Sequence, residues 1–188
     1  MTKVPPFRVL LPREALLRRT AEVARQIVVD HAAEPPCLVA VMEGARTFAT
    51  HLARNLPWRD PVHEIRASSY GSGTVSSGTV KVLTGHDIPA DGRDVLIVED
   101  IVDTGRTIAA LREHLLASGA RRVGVVALLS KPARRVVPVD IDYLGFEIPD
   151  EFIIGFGLDV AGRYRELPDV VVYDSEVERS ALGWSTLG

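Results

Sequence analysis

The chain has 188 residues, 46% hydrophobic and 25% charged, with a net charge of −3. That length suits one domain with its own core, and the near-neutral balance argues against a general nucleic-acid binder or a membrane-surface protein. Cys37 is the only cysteine, which excludes an intrachain disulfide. No apolar h-region follows Met1 and no apolar run approaches the ~20 residues of a membrane span, so the expected location is cytoplasmic.

Residues 12 to about 33 read as a helix, with Leu16, Leu17, Ala21, Val23, Ala24, Ile27 and Val28 on one side and Arg18, Arg19, Glu22 and Arg25 mostly opposite. Pro35 and Pro36 end it. Residues 37–42 are all apolar, the pattern of a strand buried on both faces, with Cys37 a small core residue. Glu43 and Gly44 turn the chain. A helix over 45–56 stops before Pro57, and a strand follows over 63–70. The next eight residues, 71–78, hold three glycines and three serines. They read as a flexible loop, a mobile lid rather than an inert hairpin connection.

Residues 79–83 are expected to pair with the preceding strand. Residues 94–100 form an apolar strand, 104–118 a helix with Gly119 as its C-cap, and 122–129 another buried strand. Shorter strands are expected over 142–147, 152–157 and 170–173. The tail from Asp174 is polar, with Trp184 stranded in it. Strands alternating with helices predict an α/β fold: a central, mostly parallel sheet with helices on both faces. The strand-rich end after Lys131 breaks that alternation and predicts a small cap beside the sheet.

The most informative stretch is Val95-Leu-Ile-Val-Glu-Asp-Ile-Val-Asp-Thr-Gly-Arg-Thr107. Glu99 and Asp100 sit where the strand ends, Asp103 lies in the turn, and Thr104, Gly105 and Thr107 open the next helix. Ligands of open α/β sheets bind at the carboxyl ends of the strands, and loop amides with a helix N-terminus can hold a phosphate. Carboxylates cannot serve that phosphate, but they suit sugar hydroxyls, a metal ion or a proton. A phosphorylated sugar is the implied ligand. The stretch is neither a Walker loop nor a dinucleotide fingerprint. His31, His51, His63, His86 and His114 show no ligand spacing, and Ser68 and Ser69 lack a His–Asp pair, so a hydrolase triad has little support.

The stretch closely resembles the phosphoribosyl-diphosphate (PRPP) motif of the type I phosphoribosyltransferases. Lys131, the run Gly145-Phe-Glu-Ile-Pro-Asp-Glu-Phe-Ile-Ile-Gly-Phe-Gly-Leu-Asp159 and Arg163-Tyr-Arg-Glu166 are similar to the purine-binding hood of the hypoxanthine(-guanine) phosphoribosyltransferases. Ser68-Ser69-Tyr70-Gly71 resembles the start of that family's flexible catalytic loop. The resemblance runs from about Val9 to Tyr173. It implies a single phosphoribosyltransferase domain over 1–188, a hood from approximately 1–12 and 140–174, and a flexible loop over 68–79.

The resemblance also implies Mg²⁺-dependent transfer of 5-phosphoribosyl from PRPP to hypoxanthine, with guanine as second substrate, giving IMP or GMP and pyrophosphate in purine salvage. Glu99 and Asp100 would meet the ribose hydroxyls and, with Asp159, the metal. Asp103 would be the general base on the N7 side of the purine. With Thr104, Gly105, Arg106 and Thr107 it would also cradle the 5′-phosphate. Glu43, Gly44 and Arg165 would face pyrophosphate, with Arg163 a nearby alternative to Arg165. Lys131 would donate to the 6-oxo group, Phe152 stack on the purine, and the backbone at Ile153 read the 2-position edge. Ser68, Ser69 and Tyr70 would belong to the flexible loop. Taken alone, Asp103 reads as a turn former or N-cap, Lys131 as a solvated strand-end lysine and Phe152 as core. The family implies a homodimer or homotetramer, with no nucleic-acid or membrane partner.

One departure stands out. The family commonly reads Leu-Lys-Gly or Leu-Arg-Gly after the first strand, whereas this chain has Met42-Glu43-Gly44. The middle residue is expected to offer its backbone N–H, often across a non-proline cis peptide. A carboxylate aimed at pyrophosphate is unfavourable, so the Glu43 side chain is expected to point away, to Arg46 or a neighbouring subunit. Two rivals remain at this point. One is a transferase preferring guanine or xanthine. The other is a PRPP- or nucleotide-sensing regulator, such as the RNA-binding attenuation proteins on this fold, for which Arg121-Arg122 and Arg134-Arg135 offer local basic patches.

Overall fold

The computed structural model describes residues 5–69, 80–83 and 88–183. The expected loop over 71–78, together with Tyr70, His86 and Trp184, lies outside the described residues. In chain order the elements are β1 (Arg8–Leu11), α1 (Arg13–Asp30), β2 (Cys37–Val41), α2 (Arg46–Arg54), β3 (His63–Ser69), β4 (Val80–Leu83), β5 (Asp94–Val102), α3 (Arg106–Ala117), β6 (Arg122–Ser130), β7 (Tyr143–Glu147), β8 (Ile153–Ile154), β9 (Val170–Val172) and α4 (Ser175–Leu182).

Strands β2, β5 and β6 are apolar at nearly every position, and only the interior of a covered sheet hides both faces of such a strand. They form the middle of a six-stranded sheet ordered β4-β3-β2-β5-β6-β7. All its pairings are parallel except that of β4 with β3. The register sets Val39 beside Ile97 and Ile97 beside Val125. Side chains alternate across the sheet. Leu96 and Val98 join Leu16, Ile27, Phe48 and Leu52 of α1 and α2 on one face. Val95 and Ile97 join Ile108, Leu111 and Leu115 of α3 on the other. Each of these buried side chains stabilises the fold by about 1.5–3 kcal/mol relative to exposure.

A second, antiparallel sheet is ordered β1-β9-β8. It brings the first strand of the chain against the last, a pairing that no local pattern over Arg8–Leu11 announces.

Several elements differ from expectation. The helix expected from Thr104 begins at Arg106, because Gly105 takes a left-handed φ of 84°. A Cβ there would lie 2.4 Å from the Val137 carbonyl oxygen, so only glycine fits. The strand expected over 152–157 shrinks to Ile153–Ile154, because Gly155, Phe156 and Gly157 all turn to positive φ. The polar tail contains a helix, α4. Its N-cap, Asp174, accepts from the N–H groups of Glu176 (2.7 Å) and Val177 (3.2 Å), the usual N-terminal device.

Candidate active site

The carboxyl ends of the central strands open onto a cavity of about 740 Å³. Glu43 and Gly44 enter it from the turn after β2, Asp100 and Ile101 from the end of β5, Asp103 from the turn that follows, and Lys131 and Arg134 from beyond β6. Asp150, Phe152, Ile153, Leu158, Asp159 and Arg165 close the far side.

Strand β5 runs two residues past its expected end, so Glu99 and Asp100 lie within it rather than after it. Both are 8% exposed. Burial, then the neighbouring Asp100 charge, pushes the Glu99 carboxyl well above the usual range. Asp100 is also raised by burial, against the opposing effects of Glu99, the Ile101 N–H and Arg165. The Ile101 N–H donates to Asp100 Oδ1 at 2.7 Å. Glu99 Oε2 is buried with no hydrogen-bond partner. A buried carboxylate oxygen without a donor calls for a proton, a hydroxyl or a cation.

Gly44 makes the approach to this pair possible. A Cβ on Gly44 would fall 1.7 Å from Asp100 Oδ2, so the turn after β2 rests against the carboxylate itself. The Met42–Glu43 peptide just before it is cis. The Glu43 side chain turns to Arg66 (2.9 Å) and more loosely to Arg46 (3.8 Å). Arg66 lies on neighbouring β3 and was not among the expected partners.

Asp103 Oδ1 accepts from Arg134 Nε at 2.8 Å. The same guanidinium reaches Asp150 at 3.5 Å, and Lys131 Nζ lies 3.8 Å from Asp150. Lys131 is 8% exposed and so is not a solvated strand-end lysine. Arg134 and Asp150 were not anticipated as site residues. Arg134 read as half of a surface arginine pair, and Asp150 was passed over within the quoted Phe-Glu-Ile-Pro-Asp run.

Thr104, Gly105, Arg106 and Thr107 are not among the cavity-lining residues. They follow Asp103 at the N-terminus of α3, where free amides favour an anion. The Thr104 carbonyl accepts from the N–H groups of Val136 and Val137, both at 3.0 Å, which ties this turn to the segment after Lys131.

Phe152 is 56% exposed, with its ring edge-on to Tyr173 at 5.6 Å, so it is not core. Neighbouring Ile153 is buried in β8. Arg165 donates to the Gly157 carbonyl at 2.8 Å and pairs with Asp159 Oδ1 at 2.8 Å, while Asp159 Oδ2 accepts from the Gly162 N–H at 2.6 Å. Arg163 faces the other way, to Glu178. Of the two arginines, Arg165 is the one that lines the cavity. Ser68 and Ser69 end β3 opposite Lys81 and Val80.

Among the described residues no three His, Cys, Asp or Glu side chains gather as a metal cluster, so Glu99, Asp100 and Asp159 do not form one. The donor chemistry nonetheless fits Mg²⁺. That ion takes one or two carboxylates, keeps several waters and shares its shell with substrate phosphates, and Glu99 Oε2 is a hard oxygen without a partner. Among the described residues no helix is long and apolar enough to cross a membrane.

Residues 9–161 match the family described as phosphoribosyl transferase domain. A hypoxanthine-guanine phosphoribosyltransferase of Streptococcus thermophilus (strain CNRZ 1066) is 41% identical over 170 residues, covering 90% of this chain and 94% of that protein. A solved hypoxanthine phosphoribosyltransferase from Staphylococcus aureus has a TM-score of 0.85 at 33% identity, covering 90% of this chain and 92% of that one. A solved hypoxanthine-guanine phosphoribosyltransferase from Bacillus anthracis has a TM-score of 0.81 at 38% identity, covering 88% of this chain and 98% of that one. With sequence and fold in agreement over nine-tenths of its length, the chain belongs to the type I phosphoribosyltransferase family, among its hypoxanthine-guanine members.

Proposed function

We propose that the chain transfers the 5-phosphoribosyl group of PRPP to hypoxanthine, with guanine as second substrate, giving IMP or GMP and pyrophosphate in purine salvage. The observation that carries this reading is the meeting of a carboxylate, Asp103, and a buried lysine, Lys131, in one cavity beside Asp100. The reaction forms a bond from a purine nitrogen to the anomeric carbon and breaks that carbon's bond to pyrophosphate. Its transition state is oxocarbenium-like, so positioning and electrostatics can supply most of the catalysis.

In this reading Asp103 accepts the proton from the N7 side of the purine as the base becomes a nucleophile. Lys131 carries donors only, which suits a 6-oxo group and disfavours the 6-amino group of adenine. Phe152 offers an exposed ring face for stacking, and the Ile153 backbone reads the 2-position edge. Glu99 and Asp100 accept from the ribose hydroxyls. The amides and hydroxyls of Asp103, Thr104, Gly105, Arg106 and Thr107 cradle the 5′-phosphate. The backbone at Glu43 and Gly44, with the Arg165 fork, receives pyrophosphate. Glu99 and Asp100 at the ribose side and Asp159 at the pyrophosphate side would each offer carboxylate oxygens to Mg²⁺ shared with PRPP, and the ion would supply neutralisation of the leaving pyrophosphate.

The flexible loop expected over 68–79 would cover the reacting centre, although Ser68 and Ser69 belong to β3 in the structure, so only the part from Tyr70 onward, outside the described residues, can serve as that loop. The single domain over 1–188, with a hood from about 1–12 and 140–174, a cytoplasmic location and assembly as a homodimer or homotetramer belong to the same reading, carried by the family resemblance. A regulator that binds RNA is disfavoured, because the arginine pairs it would use already face acids or carbonyls. Arg121 pairs with Glu34 and Asp94, Arg122 with Asp142, and Arg134 with Asp103, while Arg135 bonds the Val102 carbonyl.

The test is product formation from PRPP and Mg²⁺ with hypoxanthine, guanine, xanthine and adenine offered in parallel. Turnover of hypoxanthine, guanine close behind and adenine inert is expected. A folded protein that turns over none of the four, or prefers adenine, overturns the proposal.

A further inference from the structure

Three side chains close on one buried carboxylate outside the cavity. Glu178, on α4, is 3% exposed. Its Oε1 accepts from Arg163 Nη1 at 2.5 Å and from the Tyr164 hydroxyl at 2.6 Å. Its Oε2 accepts from the Tyr173 hydroxyl at 2.7 Å and from Arg163 Nη2 at 3.4 Å. Burial alone would push this carboxyl up. The bonds from Tyr164, Tyr173 and Arg163 outweigh burial and hold it below the usual glutamate range, so Glu178 is an anion at neutral pH.

Two of the three partners lie on the segment between Asp159 and Arg165. That segment is unusual in its backbone, with Ala161 at φ 51° and Tyr164 at φ 74°, a region that non-glycine residues seldom occupy. Tyr164 is held from both sides: its hydroxyl bonds Glu178, and Phe7 packs edge-on against its ring at 5.5 Å. Arg163 and Tyr164 thus anchor the outer side of the segment. Arg165, the next residue, turns inward to Asp159 and the Gly157 carbonyl.

We infer that Glu178 is a positioning residue for the pyrophosphate end of the cavity, fixing Arg163 and Tyr164 so that Arg165 and Asp159 project at one set angle. The inference rests on the proposed role of Arg165 toward PRPP. Helix α4 is then part of the binding scaffold. A fork held in place loses less freedom on meeting a diphosphate than one on a loose segment.

The experiment compares steady-state kinetics of Glu178→Ala, Glu178→Gln and Arg165→Ala with the parent enzyme, with circular dichroism to establish folding. Glu178→Ala is expected to raise KM for PRPP by about tenfold and KM for hypoxanthine by less than about twofold, the split set by which end of the cavity loses its preorganisation. Glu178→Gln keeps one acceptor oxygen and should recover most of the loss. If Glu178→Ala does not fold, Tyr164→Phe and Tyr173→Phe take its place. The first removes a tie on the segment and should raise the PRPP KM. The second removes a tie outside the segment and should move it much less. A folded Glu178→Ala with unchanged PRPP KM, alongside an impaired Arg165→Ala, overturns the inference and leaves the proposed function standing. Equal rises in both KM values also overturn it, since they mark general loosening. An Arg165→Ala enzyme with unchanged PRPP KM removes the reading beneath it and the inference with it.

Discussion

Arg134 Nε donates to Asp103 Oδ1 at 2.8 Å, so the side chain proposed as the base is gripped by the turn that follows Lys131. The two residues proposed to handle the purine's protons and its 6-oxo group therefore stand on one connected ion network, Asp103–Arg134–Asp150–Lys131. A change at any member shifts the aim of the others. Asp103→Asn keeps the shape and removes the basic oxygen. It is expected to lower kcat by about 10²–10⁴-fold, the usual contribution of a positioned base, while PRPP affinity by calorimetry changes little. Unchanged kcat would remove Asp103 from the proton step.

Lys131 presents donors only, whereas glutamine presents one donor and one acceptor group. Lys131→Gln should therefore weaken the discrimination against adenine, by on the order of ten- to a hundredfold in the ratio of kcat/KM values. Competition assays with hypoxanthine and adenine measure that ratio directly. Preserved discrimination would mean that the backbone around Ile153 sets the preference.

Glu99 gives a prediction on stability. Its folded-state carboxyl lies well above the ordinary value of 4.5, through burial first and the Asp100 charge second. The native state thus holds the proton more tightly than the unfolded chain. Stability is fullest below the unfolded value and is lost as pH climbs toward the raised one. Glu99→Gln removes the titration. It should raise Tm at neutral to mildly alkaline pH, by about 2–4 °C for each kcal/mol relieved, and leave Tm near pH 4 almost unchanged. Activity should fall at the same time, if Glu99 meets the ribose and the metal as proposed. Thermal scans across pH check the sign, and a drop in Tm at pH 8 contradicts it.

Glu43 lines the cavity at its proposed pyrophosphate end but is already paired with Arg66 and Arg46, all three well exposed. Exposed pairs of this kind are worth roughly 0–1 kcal/mol, and the carboxylate is largely neutralised where it stands. Glu43→Gln should change PRPP affinity by less than about threefold, and Glu43→Lys should strengthen it only modestly at low salt. A large gain in either variant would show that the carboxylate opposes PRPP binding.

Much of this site is legible in the sequence, and the illegible parts share a cause. Strand β2 and the apolar stretches of β5 and β6 have no other stable home, and the acids follow the apolar stretch of β5 at the carboxyl side of the sheet, although the strand itself runs on through them to Val102. Helix α4 escapes the same reading because its buried position is occupied by Glu178, so the segment shows no apolar stripe. The strand expected over 152–157 fails from Gly155 onward, and the positive φ of Phe156 within that turn follows from its place in the loop and not from its side chain. Arg134 and Arg66 are missed because their partners lie 31 and 23 residues away along the chain. Only the parallel order of the sheet brings Arg66 beside Glu43, and only the turn after β6 brings Arg134 beside Asp103.

The small sheet joins the two ends of the chain, with Arg8 registered opposite Val172 and Val9 opposite Val171. During synthesis, β1 leaves the ribosome before every other described strand and must wait for the whole stretch from Leu11 to Val170 before its partner exists. The large sheet needs nothing beyond β7 and can assemble earlier. The wall that carries Ile153 forms last, because β8 also pairs with β9. A nascent or truncated chain that ends before Val170 would thus hold the turn after β5 with the Ile153 wall of the cavity unbuilt.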